Sequence, residues 1–244
     1  MASHIDPITA THQLQLHLDQ LQQWLKKWRI RENESKSTHI TFSLRRDGFP
    51  TVSLNGKLIP KAKSVKYLGI HTDRRLTWKP HIHMKRKQLG LMLNKMYWII
   101  GRKSKHSLTN NLLIYKAILK PIWAYVISLW GTASQSNIEI LQRVQNKILR
   151  MVTKAPWYVP NHVLHSDLQI PTIREEITRL STNYKAKRIV HPNKLISILF
   201  VKHGQGRLHR YLPLDLQTRF KQNLELYITE GIQWNTPHQA NFFR

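Results

Sequence analysis

The chain has no cysteine, and its 244 residues include only 13 acids against 39 lysines and arginines. The first absence excludes a disulfide scaffold and thiolate metal sites. The second leaves a formal charge of +26. Such a surplus opposes compaction unless polyanions screen it, so nucleic acid is the default partner and an anionic membrane surface the second. No hydrophobic run is long enough to span a bilayer, since the most apolar stretch, Ile118 to Trp130, contains Lys120 and Pro121. The N-terminal Met-Ala-Ser-His-Ile-Asp-Pro lacks both the basic and the apolar region of a secretory signal. A basic intracellular protein without a membrane segment is expected, with nucleus or cytoplasm left open. Missing too are an Asp-Asp pair, a Gly-x-Ser-x-Gly elbow, a phosphate-binding P-loop and a Gly-x-Gly-x-x-Gly turn. No internal repeat or low-complexity segment is visible.

What is present suffices for a folded core, with 41% apolar residues. Asp6-Pro7 reads as a helix start, and Leu14, Leu18, Leu21, Leu25 and Trp28 form one apolar face that ends near Arg29 to Glu32. Ile40, Phe42 and Leu44 alternate with polar residues as in a half-buried strand. Asp47-Gly48 and Asn55-Gly56 signal hairpin turns flanking a short strand at Thr51 to Leu54, and Val65 to His71 is a further strand. From Pro80 the period becomes helical. Ile82, Leu89, Leu93, Met96 and Ile100 predict a long helix to Gly101, and Leu108 to Trp130 a second one bent or broken at Pro121. Ser136 with Glu139 suggests a capping box opening a helix to Val152, and Thr172 with Glu175 another opening a helix towards Val190. His191-Pro192-Asn193 breaks that helix. A short helix to Val201, a loop at His203 to Gly206 and a weakly patterned, partly disordered tail follow. The expected class is α+β: an N-terminal helix with a small antiparallel sheet, then a mainly helical region.

Fourteen lysines and arginines lie between Lys57 and Lys105, with Asp73 as the single acid among them. Such a surface binds phosphates with steep salt dependence; a solvated basic face is the plain alternative. Lys63, Lys66, Arg74, Arg75, Lys85, Arg86, Lys87, Arg102, Lys103 and Lys105 are the candidate contacts. Tyr67, Trp78, Tyr97 and Trp98 are interleaved with them and could stack on bases, although each taken singly reads as core. Two-metal nucleotidyl transfer requires converging carboxylates, and none are evident. Glu175 and Glu176 point about 100° apart on a helix and read as solvated surface. His81 with His83, and His162 with His165, have spacings that could share a metal but lack acids nearby. Taken alone, these residues describe a binding module.

Several strings carry a specific resemblance. Trp24-Leu25-Lys26-Lys27-Trp28-Arg29-Ile30-Arg31-Glu32-Asn33-Glu34-Ser35-Lys36-Ser37, followed by Ile40-Thr41-Phe42, resembles the palm segment after the catalytic Asp-Asp turn in reverse transcriptases of non-LTR retrotransposons, those of the jockey type in arthropods. Val65-Lys66-Tyr67-Leu68-Gly69-Ile70, Asp73 to Trp78, Tyr115 to Tyr125, Leu129-Trp130-Gly131, Gln142 to Lys147 and Ala155-Pro156-Trp157-Tyr158 resemble later segments of the same family, and the likeness extends to about Leu216. The resemblance implies a partial palm with a primer-grip hairpin over residues 1–79, thumb-like helices over 80–155, a helical region over 156–216 and a tail over 217–244. It implies that Lys36 lies near the incoming nucleotide as a leaving-group acid, and that Tyr67, Leu68 and Gly69 grip the primer 3′ end. It also implies RNA and DNA as partners, as a template–primer duplex, with Mg²⁺ as cofactor of the intact polymerase.

The family places its aromatic-x-Asp-Asp turn just before the residues matching Ala2 to Thr11, and that turn is not in this chain. The expectation is therefore a polymerase fragment, inactive alone and without a metal site of its own, whose fingers and remaining palm are its natural partners. A non-enzymatic nucleic-acid-binding remnant and a non-functional pseudogene product are the alternatives. The last would leave apolar faces of the first helix exposed.

Overall fold

A computed structural model of the chain describes residues 4, 6–44, 49–101, 103–189 and 192–193. The chain divides into two compact units, Met1–Thr182 and Asn183–Arg244. The expected Asp47-Gly48 turn, the helix to Val201, the loop at His203 to Gly206 and the tail lie outside the described residues.

Helix α1 (Pro7–Lys27) starts where its sequence dictates: the Asp6 carboxylate accepts from the Thr9 N–H at 2.8 Å, and Pro7 occupies the first turn. Its face divides in two. Leu14 and Leu18 pack on a small cluster of Val52, Leu54 and Ile59. Leu21, Trp24 and Trp28, further along the same face, are exposed. Strands β1 (Ser53–Leu54) and β2 (Lys57–Leu58) form a hairpin around Asn55 and Gly56, both left-handed, as an Asn-Gly turn requires. The Gln15 side chain completes the edge of β1, accepting from the Ser53 N–H at 2.9 Å and donating to its carbonyl at 3.1 Å.

Two strand expectations need correction. Ile40 to Leu44 is not a strand. Only His39 forms a bridge, parallel to Lys61, and Phe42 and Leu44 are exposed. Alternation makes a strand only where a neighbour supplies a ladder, and here the backbone bonds are isolated: His39 with Pro60 and Ala62, and the Ser43 N–H with the Arg74 carbonyl at 3.2 Å. Val65 to His71 is not one strand but a hairpin. Strand β3 (Ser64–Tyr67) pairs antiparallel with β4 (Ile70–Asp73), and the chain reverses at Leu68 (φ 46°) and Gly69 (φ 77°). Periodicity alone did not separate the two strands, although the resemblance implied a hairpin and Gly69 marks its turn; the left-handed Leu68 carries no sequence signal.

Beyond β4 the protein is helical. Helix α2 (Lys79–Ile100) buries Ile82, Leu89, Leu93, Met96 and Ile100, the face its periodicity marks. These pack with Trp78, Trp123, Trp130, Ile148 and Leu149 in the main core. The stretch from Leu108 does not break at Pro121. Helix α3 (Leu108–Ile114) runs into a π-helical segment, Tyr115–Leu119, and then α4 (Lys120–Ala124). The wider turn just before the proline relieves the clash that a continuous α-helix would suffer. The break comes later, at left-handed Val126, before α5 (Ile127–Trp130). There the Trp130 indole N–H donates to the Tyr125 carbonyl at 3.1 Å and holds a conformation costly for a β-branched residue.

Helix α6 (Gln135–Val152) begins earlier than expected, with Ser134 in the N-cap position and no side-chain cap bond; the Ser136–Glu139 box does not form, and Gln135 donates to Glu139 at 3.2 Å. The short α7 (Asn161–Asp167) had no periodicity signal of its own and lies within the helical region that the resemblance implies over 156–216. Helix α8 (Ile173–Ile189) opens with the expected box: Glu175 accepts from the Thr172 N–H at 2.8 Å, and Thr172 Oγ1 from the Glu175 N–H at 3.3 Å. The polar motif on α6 joins these parts. Gln145 donates to the buried Tyr115 hydroxyl and to the Pro171 carbonyl, each at 2.9 Å, while Gln142 accepts from the Ile173 N–H at 2.8 Å. Burial pushes the Tyr115 phenol up to about 12, so it stays protonated.

Candidate nucleic-acid interface

The β3–β4 hairpin projects from the helical core and is braced at both ends. At its tip Tyr67 and Leu68 are 68% and 70% exposed, which a merely structural turn does not require. Behind the tip, the Tyr125 hydroxyl donates to the Leu68 carbonyl at 2.8 Å. Gly69 supplies the positive φ, and its backbone lies against the Tyr125 ring. At the base, Asp73 turns the chain into α2. Its carboxylate accepts from the Thr77 N–H at 3.0 Å, the Thr77 hydroxyl at 2.9 Å and the Trp78 N–H at 2.9 Å. The single acid of the basic stretch thus organises the junction. Replacing it by Ala is expected to cost about 2 kcal/mol in urea denaturation, with Asp73→Asn recovering part of the loss.

Between Asp73 and Glu139 the sequence contains no acid. Lys63, Lys66, Arg75, Arg86, Lys87, Lys103 and Lys105 are exposed, and Arg102 lies outside the described residues. Arg74 is half-buried, its guanidinium 4.9 Å from the Phe49 ring centre. Lys85 does not share that surface. It is 8% exposed, its ammonium lies 5.2 Å from the Tyr125 ring centre, and burial pushes its pKa down. It therefore backs the tyrosine that braces the hairpin, because its place on α2 faces the core.

On the opposite face Lys87, Leu91, Lys95 and Trp98 recur at spacings of four, four and three, and all are exposed. Sequence reading missed this ridge by treating Trp98 as core; it is 76% exposed. Tyr67 and Tyr97 are exposed as well, and of the four interleaved aromatics only Trp78 is buried. Tyr125 was missed as a site residue, since nothing local links it to a turn 57 positions away.

Lys36 closes a short 3₁₀ turn (Glu34–Lys36) capped by Asn33 and is exposed. The acids near it, Glu32 and Glu34, both accept from the Asn55 side-chain amide. Glu34 pairs with Lys57 at 2.6 Å, and that bond holds its carboxyl below the ordinary range. Among the described residues no three His, Asp or Glu side chains come together to hold a metal.

Glu176 corrects the sequence reading. It is 1% exposed and ion-paired with Lys120 at 2.9 Å and Arg179 at 2.5 Å. Burial alone would raise its pKa, and the bonds to Arg179 and Lys120 outweigh it, so the net shift is downward. His81 is fully buried and accepts from the His71 N–H at 3.3 Å, while His165 joins Gln142, Asn146 and the Ile170 carbonyl. No described helix is long and apolar enough to cross a membrane.

Comparison with known proteins gives a consistent set of relatives. The chain is 40% identical over 197 residues to a probable RNA-directed DNA polymerase from transposon X-element of Drosophila melanogaster, covering 81% of this chain and 22% of that protein. It is 36% identical over 218 residues to the RNA-directed DNA polymerase from mobile element jockey of the same organism, covering 89% and 23%. It is 32% identical over 203 residues to a probable RNA-directed DNA polymerase from transposon BS, also of Drosophila melanogaster, covering 82% and 22%. The chain thus spans less than a quarter of the length of these curated relatives. No family model matches it, and no solved structure does.

Proposed function

Because the chain is homologous to a segment of the RNA-directed DNA polymerases of jockey-type non-LTR retrotransposons, we propose that it holds the template–primer duplex for such a polymerase. The observation that carries this reading is the exposed Tyr67–Leu68–Gly69 tip, braced by Tyr125 and continuous through Asp73 with the basic helix α2. The tip bears on the primer 3′ end. The Lys87–Lys95 ridge follows the phosphates of the hybrid, whose wide, shallow minor groove is recognised by shape and backbone. Lys36 belongs to the incoming-nucleotide side and acts only where the metal-binding acids are also present.

Binding of an RNA–DNA hybrid with a recessed 3′ end tests this. Lys87→Ala combined with Lys95→Ala is expected to weaken binding about tenfold, evenly across sequences, and to reduce the salt slope by about two. Unchanged affinity would remove α2 from the interface. Polymerisation is a separate matter. Asp6 and Glu175 serve as caps and Glu34 and Glu176 are ion-paired, and among the described residues no cluster of three acids or histidines could hold a metal, so the chain is expected to show no primer extension with Mg²⁺. Extension that Lys36→Ala abolishes would overturn that.

A further inference from the structure

The loop between α6 and α7 displays two large aromatic side chains and spends an arginine on holding them there. Trp157 is 87% exposed and Tyr158 69%, in edge-to-face contact with ring centres 6.1 Å apart. Their loop is not loose. The Arg150 guanidinium donates to the Val159 carbonyl at 2.7 Å, to Asn161 Oδ1 at 2.9 Å and to the Pro156 carbonyl, so one side chain ties both ends. Pro156 and Pro160 bracket the pair. Beside it, the Lys154 ammonium donates to the Ser104 carbonyl at 2.8 Å and pins the segment carrying exposed Lys103 and Lys105 against this end of α6. From Ile140 to Ser166 the sequence has no acid but includes Arg143, Lys147, Arg150 and Lys154.

From this arrangement we infer that Trp157 and Tyr158 are a stacking platform for the unpaired bases of single-stranded nucleic acid, with Lys103 and Lys105 holding the adjoining phosphates. Solvent-facing rings on a tied loop beside exposed cations are what an unstacked strand needs, because every base offers a π-face and every linkage a charge. A paired duplex offers neither free face. A protein partner could cover the same rings, but the positive, acid-free surroundings favour a polyanion. The inference rests on the nucleic-acid reading above and adds a second element on a different surface.

The test uses the full chain with a labelled single strand and a blunt RNA–DNA hybrid of the same sequence. Trp157→Ala is expected to weaken single-strand binding about tenfold, and the double change with Tyr158→Ala further, while Trp157→Phe recovers most of the affinity. The salt slope stays constant because stacking releases no counterions, hybrid binding stays within about twofold, and the thermal midpoint does not move. Unchanged single-strand affinity overturns the inference, as does an equal loss for the hybrid. So does a change confined to self-association, which would assign the rings to a protein contact. If the parent chain binds the hybrid but not the single strand, this inference fails and the duplex reading stands. The reverse result sinks the duplex reading alone, and failure to bind either sinks both.

Discussion

Raising monovalent salt from about 50 to 200 mM is expected to weaken hybrid binding about a thousandfold. The exposed cations on and beside the hairpin and α2 are Lys63, Lys66, Arg75, Lys79, Arg86, Lys87 and Lys95. If about six of them each neutralise a phosphate, the slope of log affinity against log salt is about −5, which over a fourfold change gives roughly three decades. Buried Lys85 is not counted, and its replacement should leave the slope unchanged while loosening the packing behind Tyr125. A slope near −1 would mean that the surplus charge is a solvated face with no ordered partner. Titration by fluorescence anisotropy at four or five salt concentrations measures it.

Mild acid is expected to destabilise the protein through His81. The ring is fully buried; its Nδ1 accepts from the His71 N–H, and Nε2 has no hydrogen-bond partner among the described residues. Burial first, then the neighbouring Lys85 and His71, depress its pKa from 6.5 to about 4. A depressed histidine stays neutral in the folded state while the unfolded chain takes up the proton. Its contribution is therefore full above pH 6.5 and is withdrawn as the pH falls towards 4, a loss of about 3 kcal/mol in all and about 2 by pH 5. His39 and His71 shift in the same direction, both chiefly through burial, and deepen the effect. Urea denaturation at pH 7.5 and 5.0 reads it, and the carboxyls of Asp6, Glu34 and Glu176, all shifted downward by their partners, do not add to the difference in that window. His81→Leu should remove most of the difference. An equal difference in that variant would place the titration elsewhere.

The parts legible in the sequence were those with local chemistry. Asp6-Pro7, Asn55-Gly56, the apolar spacing of α2 and the Thr172–Glu175 box each specify their structure within a few residues. Helix ends were less legible. Helices α1, α6 and α7 close with the same backbone motif, in which Ile30, Ala155 and Ile170 donate back to Leu25, Arg150 and His165. The left-handed residue in each is Arg29, Lys154 or Gln169 rather than glycine. Tertiary packing selects these turns against propensity, so no composition rule finds them. Site residues divided along the same line. The exposed basic cluster could be read from charge alone. The burial of Lys85 and Glu176 could not, since each depends on partners more than two helix turns away along the chain: Tyr125 for one, Lys120 for the other. Nor could the exposure of Trp98 and Trp157 be read, because aromatics default to the core.

The most direct test of the central claim places a photoreactive 4-thiothymidine at the primer 3′ end of an RNA–DNA hybrid and maps the crosslink by mass spectrometry. Crosslinks at Tyr67 to Gly69, diminished in Tyr125→Phe, are the result this account predicts. Efficient crosslinking confined to other segments, with the hairpin tip unmarked, would contradict it.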